Sequence, residues 1–410
     1  MVVMNKTPVL ESPLGSLVTI KQGYTFSRSY QGNAEGKWMY VKVADLNSLG
    51  NKKYVYRTKN YVDDDVLEKI KATPFPANSI VFPRVGAALK LNNKLLLTED
   101  CVTDDNVIVI TVTDEEKCYF EYLYYWFEFQ DLGQFCNSGA VPVISGKNLK
   151  KELVPLPPLD EQKKISRVLS EWDNAIEKTE ALIAAKEKQF EWLTSNLINR
   201  AGHKRTVASG LMTEVSKRNK SSTIERVLSV TNHSGFVLPE EQFERRVASA
   251  NVSNYKVVEQ GQYAYNPSRI NVGSIARLDN WENGILSPMY VVFKLDTKKV
   301  CSDYFLHWLN SSEARQRIKN SAQGSVRETV SFKDLGAIDI PLPAMDVQKD
   351  VTYKLNLAQK EISLLKKTLE QYRSQKRGLM QKLLTGEWQV GSSQYLSEET
   401  CQELSKESVA

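Results

Sequence analysis

A segment that recurs within one chain limits its architecture more than composition can, because both copies must adopt the same local structure. Here Pro155-Leu156-Pro157-Pro158-Leu159-Asp160-Glu161-Gln162 returns 186 residues later as Pro341-Leu342-Pro343-Ala344-Met345-Asp346-Val347-Gln348. The same offset carries Ser145, Lys147 and Leu149 onto Ser331, Lys333 and Leu335, and Leu169, Ile176 and Leu197 onto Leu355, Ile362 and Leu383. One period fills nearly half of the 410 residues, so the pattern is a duplication of one two-part unit, not a solenoid of short repeats.

Each proline-rich stretch marks a boundary. Its prolines lack an amide donor and push the preceding residue toward extended backbone, which closes whatever precedes them. Asp160 and Asp346 stand where an N-cap is expected, with side-chain oxygens for the first amides of a helix. A periodic run follows in both copies. Its seam is Ile165, Leu169, Trp172, Ile176, Thr179, Ile183, Lys186, Phe190, Leu193 and Leu197 in the first copy. In the second it is Val351, Leu355, Ala358, Ile362, Leu365, Leu369, Tyr372, Lys376, Leu379 and Leu383. Both step by 4 and 3 in alternation, the heptad pattern of a coiled coil. A helix of about 40 residues reaches roughly 60 Å, and two helices with matching seams most simply pack on each other. Periodicity leaves their direction open. An antiparallel pair brings Lys376 near Trp172, where a cation–π contact is available; a parallel pair brings it near Phe190. Lys186 and Lys376 are expected to snorkel at the surface of the rod.

The blocks ahead of the helices read as one α/β fold used twice. Asn106–Val112 and Met289–Leu295 are β-branched strand-like runs, each followed by an aromatic amphipathic segment, Tyr119–Phe129 and Tyr304–Leu309. The first segment has aromatics on every side, so it is expected to be domain core and not a base-stacking platform. Charge is spread thinly. Residues 1–155 carry 18 Lys and Arg against 18 Asp and Glu, and residues 206–340 carry 17 against 14. No block is basic enough to announce nucleic acid by charge alone. Five scattered cysteines and three scattered histidines give neither a disulfide framework nor a metal-ligand spacing, and fit a reducing cytoplasm. No run of about 18 apolar residues is present, so no membrane span is expected.

At this point the residues resemble a family: the specificity subunits of type I restriction–modification enzymes. The resemblance rests on the Leu159-Asp160-Glu161-Gln162 motif opening a long helix, on its second copy with Asp346 and Gln348, and on the divergent blocks ahead of each. It covers residues 15–390, although Val347 replaces the glutamate in the second motif. It implies a mixed α/β chain with two target-recognition domains, 1–155 and 206–341, each reading one half of a split, asymmetric DNA sequence. It also implies two spacer helices, 156–205 and 342–390, packed as an antiparallel coiled coil, and leaves 391–410 as a polar tail. The implied partners are double-stranded DNA, two methyltransferase subunits docked on the helices through the motif residues Asp160, Gln162, Asp346 and Gln348, and restriction or translocase subunits beyond them. S-adenosylmethionine, ATP and Mg2+ would belong to those partners, and no cofactor to this chain. A near-neutral first domain then calls for partner subunits to tighten the grip on DNA.

The residues themselves carry no catalytic motif. There is no G-x-G, no P-loop, and the nearest relative of a methyltransferase motif, Asn266-Pro267-Ser268-Arg269, lacks the aromatic that stacks on a flipped base. Glu115-Glu116-Lys117, with Asp104 and Asp105 upstream, has a nuclease-like spacing but reads as a turn into a helix. The DNA-contact candidates are Arg84 and Arg269 at strand ends, Arg28 and Asn33 in a polar glycine-containing loop, Asn266, Arg327 after Gly324-Ser325, and the repeat-matched pair Lys147 and Lys333. A strand-end arginine suits bidentate contact to guanine, while the matched lysines suit phosphate. For each, an exposed loop residue or an internal ion pair is the competing reading. Two other functions remain open: a coiled-coil adaptor with two protein-binding heads, and a specificity subunit serving a fused methyltransferase–nuclease.

Overall fold

Short runs rich in valine, isoleucine and tyrosine build the centre of each copy. The computed structural model describes residues 2–3, 10–48, 50–137, 139, 141–239, 251–322 and 329–390. The chain divides into two compact units, one of residues 1–178 with 369–410 and one of residues 179–368. The dividing line falls inside both long helices, so part of each helix belongs to each unit. This differs from a layout in which whole helices stand apart from the domains, and the reason is burial. Ile165, Leu169, Met380 and Leu383 belong to the core of the first unit, and Ile198, Val351 and Leu355 to that of the second.

In the first unit the elements run β1 (Leu10–Pro13), β2 (Val18–Gln22), β3 (Tyr54–Val55), α1 (Asp64–Ile70), β4 (Ile80–Pro83), β5 (Leu95–Leu97), β6 (Val107–Val112), α2 (Phe120–Phe129), α3 (Gly146–Leu149), β7 (Leu153–Leu156) and α4 (Leu159–Thr194). The main sheet has the order β2-β6-β4-β5-β3. Its β6 strand lies antiparallel to β2 and β4, with Ile110 opposite Ile20 and Ile80. The aromatic helix α2 packs on this sheet: Tyr122 to Phe127 are all buried, as expected of a core helix. A smaller three-stranded sheet of Tyr61–Val62, Trp38–Val41 and Val102–Thr103 carries a second cluster around stacked Phe26 and Tyr40.

The second unit repeats this frame with β8 (Arg205–Val207), β9 (Met212–Glu214), β10 (Tyr263–Tyr265), β11 (Ile275–Arg277), β12 (Val291–Leu295), α5 (Ser302–Leu309), α6 (Ser312–Ala322), α7 (Phe332–Gly336), β13 (Asp339–Pro341) and α8 (Met345–Leu384). Its sheet order β9-β12-β10-β11 reproduces β2-β6-β4-β5, and the pair β8–β13 reproduces β1–β7. The turns Leu14–Ser16 and Ala208–Gly210 also correspond, each leading into the first sheet strand.

None of the twenty seam residues is exposed. Within the first unit Trp172 lies edge-on to Tyr372, 5.6 Å between centroids, and Asp173 pairs with Lys376. Within the second, Lys186 pairs with Glu361 and Glu187 with Lys366. Within the second unit Lys186 meets Glu361 while Ile198 shares a core with Val351 and Leu355, so rising numbers on α4 meet falling numbers on α8 and the two segments run antiparallel. Two expectations are corrected here. Lys376 is 6% exposed, not snorkelling, and its ammonium lies 5.3 Å over Tyr125, not over Trp172. The partly buried carboxylates of Asp173 and Glu128 draw it inward. Asp160 and Asp346 are not N-caps. The helices begin one residue earlier, at Leu159 and Met345, which leaves both carboxylates exposed in the first turn, where negative charge favours the helix dipole.

Candidate nucleic-acid interface

The motif glutamines fix each module to its helix. Gln162 is fully buried; its amide donates to Lys117 O at 2.7 Å and Pro157 O at 2.9 Å, and its Oε1 accepts from Tyr119 N at 2.8 Å. Gln348 makes the same three bonds, to Lys299 O, Pro343 O and Cys301 N. Glutamine suits this post because one side chain offers two donors and an acceptor at fixed angles. Burial also corrects an expectation, since these two residues are spent inside the chain and present nothing for a partner subunit to grasp.

A second joint lies further along each helix pair. Tyr125 of α2 donates to Asp173 of α4 at 2.7 Å, and His307 of α5 meets Asn356 of α8 at 2.7 Å. Tyr125 and His307 occupy corresponding places in the repeat, but their chemistry differs. The first joint is charged, with Lys53 on Glu121 and Lys376 on Asp173 and Glu128. In the second, burial holds the His307 imidazole below its ordinary pKa, partly opposed by its bond to Asn356. The sequence signal for these joints was the shared aromatic helix, but the polar partners do not stand out in the one-dimensional pattern.

With the frame anchored, the ends of β4 and β10 carry the candidates. Arg84 directly follows β4, and its backbone is pinned from both sides: its N–H donates to Asn106 O and its carbonyl accepts from Ile144 N. Its Nε donates to Asp105 O at 3.1 Å, a bond to a carbonyl and not an ion pair. Asp105 is itself held by Thr25 and Asn106, and neighbouring Asp104 by Tyr40 and Asn106. Burial works to raise the Asp104 pKa, but the bonds from Asn106 and Tyr40 outweigh it and hold the carboxyl below the usual range. Gly23 is required beside this network, because a Cβ there would lie 2.1 Å from Thr103 O. The half-buried guanidinium is thus aimed by a built support, which sequence reasoning missed. Val85 bridges to Val143, so the same edge leads into α3 and exposed Lys147.

In the second module Val330 N donates to Pro267 O, the counterpart of the Ile144–Arg84 bond. Pro267, not Arg269, therefore stands where Arg84 stands, and exposed Arg269 lies two residues further along the turn. Asn266 accepts from Ser268 N at 3.0 Å, which makes this stretch a strand-end turn, as expected. Val330 leads into α7, where Ser331 and Asp334 form a capping box and Lys333 is exposed. Arg28 and Asn33 are exposed on the loop whose Gly32 N–H bonds Asn60, apart from the Arg84 support in sequence and hydrogen bonding. Arg327 lies outside the described residues. The structure thus brings Arg84 and Lys147 to one strand end, and Asn266, Arg269 and Lys333 to the matching one. Among the described residues no group of His, Cys, Asp and Glu has metal-binding geometry, and no helix is long and apolar enough to cross a membrane.

The duplicated α/β frame thus carries two unlike strand ends on two helix-anchored modules. Residues 8–186 match the family model of the type I restriction modification DNA specificity domain. A Methanocaldococcus jannaschii protein named as a type I restriction enzyme specificity subunit, MjaX, is 26% identical over 303 residues, covering 67% of this chain and 69% of its own length. The crystal structure of the type I restriction–modification S subunit from M. genitalium shares the fold at a TM-score of 0.58 and 16% identity, over 93% of this chain and 97% of the other. A chain from work on complex assembly and conformational transition of a type I restriction–modification system matches at a TM-score of 0.55 and 13% identity, over 92% and 98%. The chain is thus similar to type I restriction–modification specificity subunits, in sequence over residues 8–186 and in fold over most of its length.

Proposed function

We propose that this chain is the non-catalytic reader of a type I restriction–modification complex, and that each module reads one half of a split, asymmetric DNA target. The observation that carries this is the reuse of one frame, down to the three bonds of Gln162 and Gln348, beneath strand ends that differ: Arg84 in one module, Pro267 and Arg269 in the other. A common frame lets both modules meet duplex DNA alike, and different side chains at its edge give different half-sites. In this reading the helices dock two methyltransferase subunits, and through them restriction or translocase subunits. Tyr353, Leu357 and Leu364 of α8 support the docking. They are 69%, 58% and 53% exposed at spacings of four and seven, an apolar stripe on the side away from the seam. S-adenosylmethionine, ATP and Mg2+ belong to those partners. Methylome sequencing of cells with and without the gene tests the proposal. Loss of one split adenine-methylated motif on deletion is expected, and an unchanged methylome refutes it.

A further inference from the structure

Both modules make the same turn between two neighbouring sheet strands. After β4 the chain passes Arg84 to Gly86, forms a short turn over Ala87–Leu91 and enters β5. After β10 it passes Asn266 to Arg269, forms a short turn over Ile270–Val272 and enters β11. In each turn one aliphatic residue is in the core, Leu89 at 3% and Ile270 at 2% exposure, while the residue two places on stands out in solvent, Leu91 at 58% and Val272 at 62%. The next residue is left-handed, Asn92 at φ 57 and Gly273 at φ 97, and returns its N–H to the carbonyl of the buried one. Side-chain bonds stiffen both: Asn92 accepts from Leu132 N, and Ser274 donates to Val230 O.

A single exposed aliphatic means little. Two of them, at one place in a repeat whose loops otherwise diverge, on turns built to hold them outward, call for a ligand. The surroundings favour nucleic acid. Lys90 and Arg269 are exposed beside the two tips, with no side-chain partner among the described residues. Each tip also leaves the strand end whose backbone is bonded to the segment leading into Lys147 or Lys333.

We propose that Leu91 and Val272 are the apolar base contacts of the two modules, each meeting the methyl group of a thymine at one position of its half-site. Only thymine shows a methyl group in the major groove, and cations beside the contact neutralise the adjacent phosphates. The proposal rests on the DNA-specificity reading above. The test uses the assembled complex and the target found by methylome sequencing. Each thymine in turn is replaced by uracil, which keeps the base pairing and removes only the methyl. One uracil per half-site is expected to weaken binding about fourfold, the worth of one buried carbon group. Leu91→Ser should abolish that sensitivity in one half-site and Val272→Ser in the other. Uracil insensitivity throughout, or sensitivity that survives both substitutions, overturns the proposal. So does loss of subunit co-purification with DNA contacts unchanged, which assigns the tips to a protein partner. A wild-type complex that does not distinguish its target from scrambled duplex refutes the specificity reading itself, a result separate from the others.

Discussion

Replacing Lys376 by methionine should be among the most damaging single changes in the first unit. Its ammonium lies 2.7 Å from Glu128 Oε1 and 2.5 Å from Asp173 Oδ1, at 6% exposure. Burial opposes the charged form, but the two carboxylates outweigh it and hold the pKa above the ordinary lysine value. Charges at such distances attract by about 6 kcal/mol at an effective dielectric near 20, most of it offset by desolvation. Removing only the cation forfeits the attraction and keeps two partly buried carboxylates, a loss of about 2–4 kcal/mol once their contact with solvent is discounted. Glu128 sharpens the expectation. Its Oε2 is buried without a partner, and burial already raises its pKa against the pull of Lys376. Without Lys376 that carboxyl rises further, so the folded variant binds a proton the unfolded chain has released. Stability of Lys376→Met should therefore fall as pH rises above the ordinary glutamate range, which makes the penalty larger at neutral than at acid pH. Hydrogen exchange of the α2 amides in urea isolates this unit from the other. A loss under about 1 kcal/mol, or one that is independent of pH, refutes the reasoning. Adding Glu128→Gln and Asp173→Asn should restore most of the stability.

Gln162→Ala leaves two carbonyls and one amide unbonded at about 1–3 kcal/mol each, and Gln348→Ala should cost its own unit a similar amount; unequal losses by denaturation would break the equivalence of the two locks. Because burial lowers the folded pKa of His307, the unfolded state takes up a proton first. Stability of the second unit should thus decline as pH falls below about 6.5, and His307→Gln should flatten that slope in pH-dependent unfolding. Arg84→Ala should cost about 1–3 kcal/mol on the cognate site and relax one base position. Lys147→Ala and Lys333→Ala should instead weaken all sequences alike and lower the salt slope by about one each in titrations.

The helices and their seam were legible because a heptad pattern is a local code, and so was the aromatic core helix, where eight aromatics in eleven residues leave no polar face. The role of Gln162 was not, because its three partners come from residues 117 to 119 and 157, a constellation that only the fold assembles. Lys376 misled for a related reason. A lysine in a seam reads as snorkelling unless the carboxylate of Glu128, 248 residues away in sequence, is known to face it. The strand-end candidates were only half legible. The place of Arg84 at a strand end was legible, but Arg269 looked equivalent until the Pro267–Val330 bond fixed the register.

The drift of the repeat offset shows where the two modules were free to differ. Gln162 and Gln348 are 186 residues apart, as are the Ser145 and Ser331 that open α3 and α7. Leu91 and Val272 are 181 apart, whereas the entry turns at Leu14 and Ala208 are 194 apart. The largest change, 13 residues, therefore falls between the first turn and the tip. Among the described residues, the first module uses that stretch for α1 and most of its three-stranded sheet; the second uses it for the hairpin of Ser229–Thr231 and Gly235–Val237 and for strand Lys256–Glu259. The frame resists change because each lock satisfies buried backbone groups at both ends, so a shift in either element strands them. The stretch between the first turn and the tip lies outside both glutamine locks and is carried on the sheet, as binding loops commonly are. Side chains can thus diverge there without disturbing how either module is held to its helix.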